Sequence, residues 1–342
     1  MNRLLCRIAF LAIFSLTIKA LAQQDSVSIF GPTAPLRMEM SFNYSQLIKN
    51  KFDDEYQPAI LTVHLDDSTQ VADTIRIKAR GEFRREYCKF PPLALNFKKA
   101  DFGYLPLNEL ERVKLVTTCR LQEAYQQYLY EEYLAYRIYN LLTPMSYQVR
   151  LVEITYRDNQ GKKDPFTEYG FIIEETDKMA ARNQCVELEA KSAPEKQLNR
   201  AQMTLVAVFE FMIGNTDWYT GNLHNIRVIQ PLDVDNVTSI YPVPYDFDYS
   251  GLVNAMYAAP DPKLGIESVR DRYYLGACRT RAELEVVFDI MRLRRREIEA
   301  LYRDFPLLTK ENRQIELEYL ADFYEIINNP SLVEQTFMNN CK

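Results

Sequence analysis

The run Gly214-Asn215-Thr216-Asp217-Trp218-Tyr219-Thr220-Gly221-Asn222-Leu223-His224-Asn225 decides how the chain is read. It follows an apolar helical segment, Ala201 to Ile213, which Gly214 stops, and it precedes a strand expected from Asn225 to Ile229. Polar residues on a loop held between rigid elements are where binding and catalysis concentrate. A second such stretch, Val243-Pro244-Tyr245-Asp246-Phe247-Asp248-Tyr249-Ser250-Gly251, lies a short way downstream. Singly, each loop is explained by turn chemistry: Asn215 and Asp217 as Asx turns, Asp246 and Asp248 as carboxylates flanking a buried Phe247. Together, and in this order, they supply what phosphoryl transfer requires. One Asp would orient the nucleophile's proton, while an Asn and a second Asp would hold magnesium against the phosphates.

Outward from these loops the texture divides. Upstream, Pro58 to Leu65, Asp73 to Arg80 and Leu93 to Lys98 read as strands, the second by strict alternation of apolar and polar residues. Leu121 to Leu142 contains neither Gly nor Pro and is the clearest helix, closed by Pro144. Strands follow at Gln148 to Tyr156 and Glu168 to Glu174. Downstream, Arg281 to Phe305 and Leu307 to Asn328 are amphipathic helices. The expected organisation is a leader over 1–22, a β-rich N-terminal lobe with one long helix over 23–177, and a mainly helical C-terminal lobe over 178–342. That is an α+β, two-lobed architecture.

Several segments resemble the secreted kinase-like family typified by spore-coat protein H (CotH), an atypical relative of protein kinases. They are Ala79-Arg80-Gly81 with Lys89-Phe90-Pro91-Pro92-Leu93, Tyr169-Gly170-Phe171-Ile172-Ile173-Glu174, Asp217 with His224-Asn225, and Pro244-Tyr245-Asp246-Phe247-Asp248. The likeness spans roughly residues 75 to 255. It implies a protein-kinase-like fold that binds Mg-ATP, or Mn-ATP, and phosphorylates an envelope or secreted protein. Carried over by residue, Asp217 is the catalytic Asp, Asn225 and Asp246 are magnesium ligands, Asp248 is a carboxylate that supports them or holds a second metal, and Glu174 lies near the nucleotide. Asn222 competes with Asn225 as ligand. The phosphate-binding lysine is Lys98 or Lys89, with Glu131 or Glu132 as its helix partner. No glycine-rich G-x-G-x-x-G loop is present. Two other readings stand beside this one: a degenerate binding or assembly module at the cell envelope, and a glycan hydrolase using Asp217 and Asp246 as a carboxylate pair.

The bulk properties narrow the partners. Arg3 and Arg7, the apolar run Ile8 to Leu16 and the Ala20-Leu21-Ala22 ending form a signal-peptide pattern, so export with cleavage after Ala22 is expected. Removing Arg3, Arg7 and Lys19 takes the formal charge from −6 to −6 − 3 = −9. Such acidity argues against nucleic acid, which clustered Lys and Arg bind. No second long apolar run predicts a membrane span in the mature chain. Five cysteines remain after cleavage; Cys88 with Cys119 is one possible bridge, and an odd number leaves a thiol over.

Overall fold

The computed structural model describes residues 28–31, 34–232 and 239–341. The expected leader lies outside them. The first half of the chain is dominated by seven strands: β1 (Leu36–Phe42), β2 (Gln57–His64), β3 (Gln70–Ala79), β4 (Leu93–Asn96), β5 (Arg112–Thr117), β6 (Val149–Asp158) and β7 (Phe166–Ile173). They hydrogen-bond in the order β1-β2-β3-β4-β5-β7-β6 and close into a barrel, because β1 also pairs with β6. That pairing is parallel, Leu36 facing Val152 and Phe42 facing Asp158, whereas the neighbouring ladders are antiparallel.

Alternation fills the barrel. Met38, Met40 and Phe42 of β1, Leu61 and Val63 of β2, and Ile75 and Ile77 of β3 are buried, while the residues between them face outward or are half-covered. Closure removes the unpaired edges that an open sheet presents. The expectation of a two-lobed protein-kinase-like fold, with a β-rich N-terminal lobe and a mainly helical C-terminal lobe, is therefore corrected. The strands of the first half form a closed barrel rather than a lobe's open sheet. The expectation failed at β1 and β5, the two strands outside those read from the sequence; without them the sheet cannot close.

The short helices α1 (Tyr44–Lys49), α2 (Phe83–Tyr87), α3 (Leu105–Asn108) and α5 (Thr176–Arg182) flank in sequence the long α4 (Glu123–Leu142), which carries Tyr133, Tyr136 and Tyr139 into a second apolar core. This core is shared with α6 (Arg200–Ile213), α7 (Arg281–Arg303) and α8 (Lys310–Asn328). Thr280 opens α7 with a capping box closed by Glu283. A small sheet of β8 (Cys185–Glu187), β9 (Ile226–Pro231) and β10 (Tyr241–Pro244) runs in the order β10-β9-β8. Disulfides join Cys88 to Cys119 and Cys278 to Cys341, and Cys185 is a buried free thiol. Among the described residues no helix is long and apolar enough to cross a membrane.

Candidate functional site

Helix α6 is buried on every residue from Met203 to Ile213 and ends at Gly214, whose φ of 67° is left-handed. Any side chain there would also strike Tyr319, since a Cβ would lie 2.0 Å from its hydroxyl. The chain leaves this cap directly into the first loop. Asn215, fully buried, donates to Glu210 Oε2 at 2.9 Å and accepts the Asp217 N–H at 3.0 Å. Burial pushes the Glu210 carboxyl well above its ordinary value, against the pull of Asn215.

Asp217 is the hub of that loop. Its Oδ1 meets His224 Nε2 at 2.9 Å, and its Oδ2 accepts from Asn225 Nδ2 at 3.0 Å. The same Asn225 amide donates to the Asp217 carbonyl at 2.7 Å. His224 is exposed rather than braced against the core. Asn225 leads into β9, and its carbonyl accepts the Tyr245 N–H at 3.1 Å, which ties the first loop to the second. Further back, Gly251 N bonds Gly214 O and Leu252 N bonds Ile213 O. Asn225 and Asp246 sit at φ 52° and 66°, a left-handed conformation uncommon for side-chain-bearing residues and frequent at functional turns.

Asp246, Asp248 and Glu132 of α4 each place a carboxylate oxygen within 4.8 Å of the others. The Asp246 N–H donates to the Tyr136 hydroxyl at 2.9 Å, which fixes the second loop against α4. Arg84, on the short helix α2 (Phe83–Tyr87), reaches Glu132 Oε2 at 2.6 Å and Asp248 Oδ2 at 2.7 Å, and Tyr257 donates to the same Asp248 oxygen. Burial raises both the Glu132 and Asp248 carboxyls while Arg84 pulls them down. For Arg84, burial opposes the charge and Asp248 and Glu132 overcome it. Arg84 keeps its proton, as arginine does in proteins, and so sets a full positive charge against both carboxyls.

A hard divalent cation suits these residues. Each ligand atom is oxygen, which matches magnesium or manganese rather than zinc. Three carboxylates and one guanidinium leave a formal −3 + 1 = −2. Glu132 Oε1 is buried without a hydrogen-bond partner, the kind of orphaned acceptor an ion would satisfy.

Lys114 of β5 borders the same group from the barrel side. Burial, then the neighbouring Arg80 charge, lowers its ammonium to about 8, with Asp246 pulling the other way. Its Nζ lies 4.9 Å from the Tyr245 ring centre. Lys114 and Arg80 line a cavity of about 440 Å³ together with Glu174, Thr176 and Glu187. The lysines expected from the sequence lie elsewhere: Lys98 pairs with Glu111 at 3.0 Å on the surface, and Lys89 is exposed. Glu174 lines the cavity, but its carboxylate is engaged by Arg182 at 2.9 Å and by the Gln148 N–H at 2.9 Å. Lys114, Arg80 and Arg84 are the additions. Arg112-Val113-Lys114-Leu115 alternates polar and apolar, and that pattern marks Lys114 as a strand lysine.

No family model matches this chain, and no curated protein does.

Proposed function

We propose that the chain is an exported phosphotransferase that binds ATP with magnesium or manganese and moves the terminal phosphoryl group to a hydroxyl on an envelope or secreted acceptor. The observation that carries this reading is the meeting, at Asp246, of an oxygen-only acidic group and a partly buried lysine–arginine pair. It stands on the site and borrows nothing from fold, since folds host many chemistries. The two disulfides accord with an oxidising compartment.

Each residue has a task. Lys114 and Arg80 offer positive charge to the phosphates from the cavity they line. Glu132, Asp246 and Asp248 would hold the ion, with Asn225 joined to their loop through the Tyr245 N–H. When bound, that ion supplies neutralisation of phosphate charge. Asp217 orients the acceptor hydroxyl and accepts its proton, and Asn225 and His224 hold its carboxylate in place. The hydrolase alternative uses Asp217 and Asp246 but leaves Lys114 and Glu132 idle.

Calorimetric titration of the mature chain with ATP, in magnesium and then manganese, tests the reading beside Asp246→Ala. Micromolar binding that needs metal and vanishes in the variant is expected. A folded protein that yields no heat with either metal refutes it and leaves a binding or assembly module at the envelope.

A further inference from the structure

Asp217 also lines a cavity of about 580 Å³, which none of the nucleotide-binding tasks uses. Its walls are aromatic: Trp218 and Tyr219 beside Asp217, with Tyr249 from the second loop. Its rim is polar, with Asn222, Asp261 and Lys263. Asp261 is fixed by accepting the Lys263 N–H at 2.9 Å, at the start of a 3-10 turn over Pro262–Leu264.

Tyr219 is the unusual element. It is 60% exposed, so its ring is open to a ligand. It is also held in place. Its backbone pairs with His224 in both directions, at 3.0 and 2.9 Å. Its ring lies across Gly221, where a Cβ would sit 2.3 Å from a ring carbon. The chain therefore keeps a glycine under the ring, and the ring stands as a preformed platform beside Asp217.

We propose that this pocket binds a saccharide and that the acceptor hydroxyl belongs to a sugar ring. This rests on the phosphotransfer reading above for the reaction, though not for the binding. A pyranose has one apolar C–H face and a rim of hydroxyls. That matches an aromatic platform edged by an amide, a carboxylate and an ammonium. A serine or threonine side chain would fill little of the volume. A peptide that binds by adding a strand needs free backbone groups, and those of Tyr219 and His224 facing each other are already paired. In the transfer, the sugar oxygen attacks the γ-phosphorus and its proton passes to Asp217. The bond from that phosphorus to the β–γ bridging oxygen breaks, so a sugar phosphate and ADP leave with the electron pair on ADP.

Trp218 is the only tryptophan in the chain, so its fluorescence reports this cavity alone. The nucleotide-free mature protein is titrated with cellobiose, chitobiose, maltose and lactose, and separately with a serine-containing peptide. At least one disaccharide should give a saturable change in the millimolar range, weakened about tenfold in Tyr219→Ala and in Gly221→Ala. Circular dichroism establishes that the variants are folded; Tyr219→Ala, at an exposed site, is the decisive one if Gly221→Ala fails to fold. No saturable change with any of the four sugars, or a change with the peptide alone, overturns the proposal. Because no nucleotide is present, sugar binding that survives alongside a failed ATP titration supports the pocket and sinks only the phosphotransfer reading. ATP binding without sugar binding does the reverse.

Discussion

Glu131 and Glu316 should make the protein lose stability as the pH rises from acid to neutral. Glu131, on α4, is 1% exposed and accepts from Asn312 Nδ2 at 2.7 Å; Glu316, on α8, is 3% exposed and takes both its hydrogen bonds from Arg270, at 2.7 and 2.9 Å. Arg270 thus bonds Glu316 directly and reaches Glu131 only through its field. Burial raises Glu316 to about 7 in spite of Arg270, and burial, then Glu316, lifts Glu131 well above its ordinary value. The folded state therefore keeps protons that the unfolded chain gives up. Stability is full below the ordinary glutamate value of 4.5 and drains away as pH rises through about 7. For Glu316 alone the gap of about 2.5 pH units corresponds to about 3.4 kcal/mol, of which about 2.5 kcal/mol falls between about pH 5 and about pH 8. Glu131 adds to it in the same direction. Urea unfolding across that range, in the natural chain and in Glu316→Gln, measures the difference in slope. The variant should be flatter by about 2 kcal/mol over the interval. Parallel slopes would show that Glu316 is already ionised in the fold, and the reasoning would fail.

Two further outcomes concern the charges around Asp246. Lys114→Met should weaken metal-dependent ATP binding by at least about tenfold while leaving the unfolding midpoint in place or higher, because a partly buried ammonium is removed. In the natural chain, ATP affinity should decline above about pH 8 as Lys114 loses its proton; equal affinity at higher pH would remove Lys114 from the phosphate contact. Arg84→Met should cost about 3–5 kcal/mol by stranding Glu132 and Asp248 as unpaired buried carboxyls. Magnesium should then raise the thermal midpoint more in the variant than in the natural chain, and an identical shift in both would argue against a cation at these residues.

What could be read from the chain divides along physical lines. Helices α4 and α6 declare themselves, since their ends are set by Pro144 and by Gly214 in its left-handed cap. The union of Asp217 with Asn225 was also legible, because both lie within one short loop and local chemistry governs it. The barrel was not. Its closure depends on β1 meeting β6 across the sheet, and pairings between distant segments leave no trace in periodicity. The basic side of the cavity was missed for a related reason. Arg80 lies just past the end of β3 and Lys114 on β5, two strands joined only through β4, so their nearness to Asp246 is a property of register. Lys98, chosen instead, follows the end of β4 and points its charge at Glu111. Glu132 stood among several glutamates on α4; only the fold separates it from Glu131, one residue away, which faces α8.

The parallel seam between β1 and β6 also sets an order of events. Leu36 meets Val152, 152 − 36 = 116 positions later in the chain. A nascent chain can form the β1–β2–β3 meander as soon as those strands exist, yet β1 keeps one bare edge until α4 and β6 have been made. Closing so long a loop is slow, and an uncovered edge is a template for mispairing while it lasts. The barrel is complete only when β7, the last strand made, joins β5 to β6, so the rate at which the second half of the barrel arrives governs how long the chain is vulnerable to aggregation.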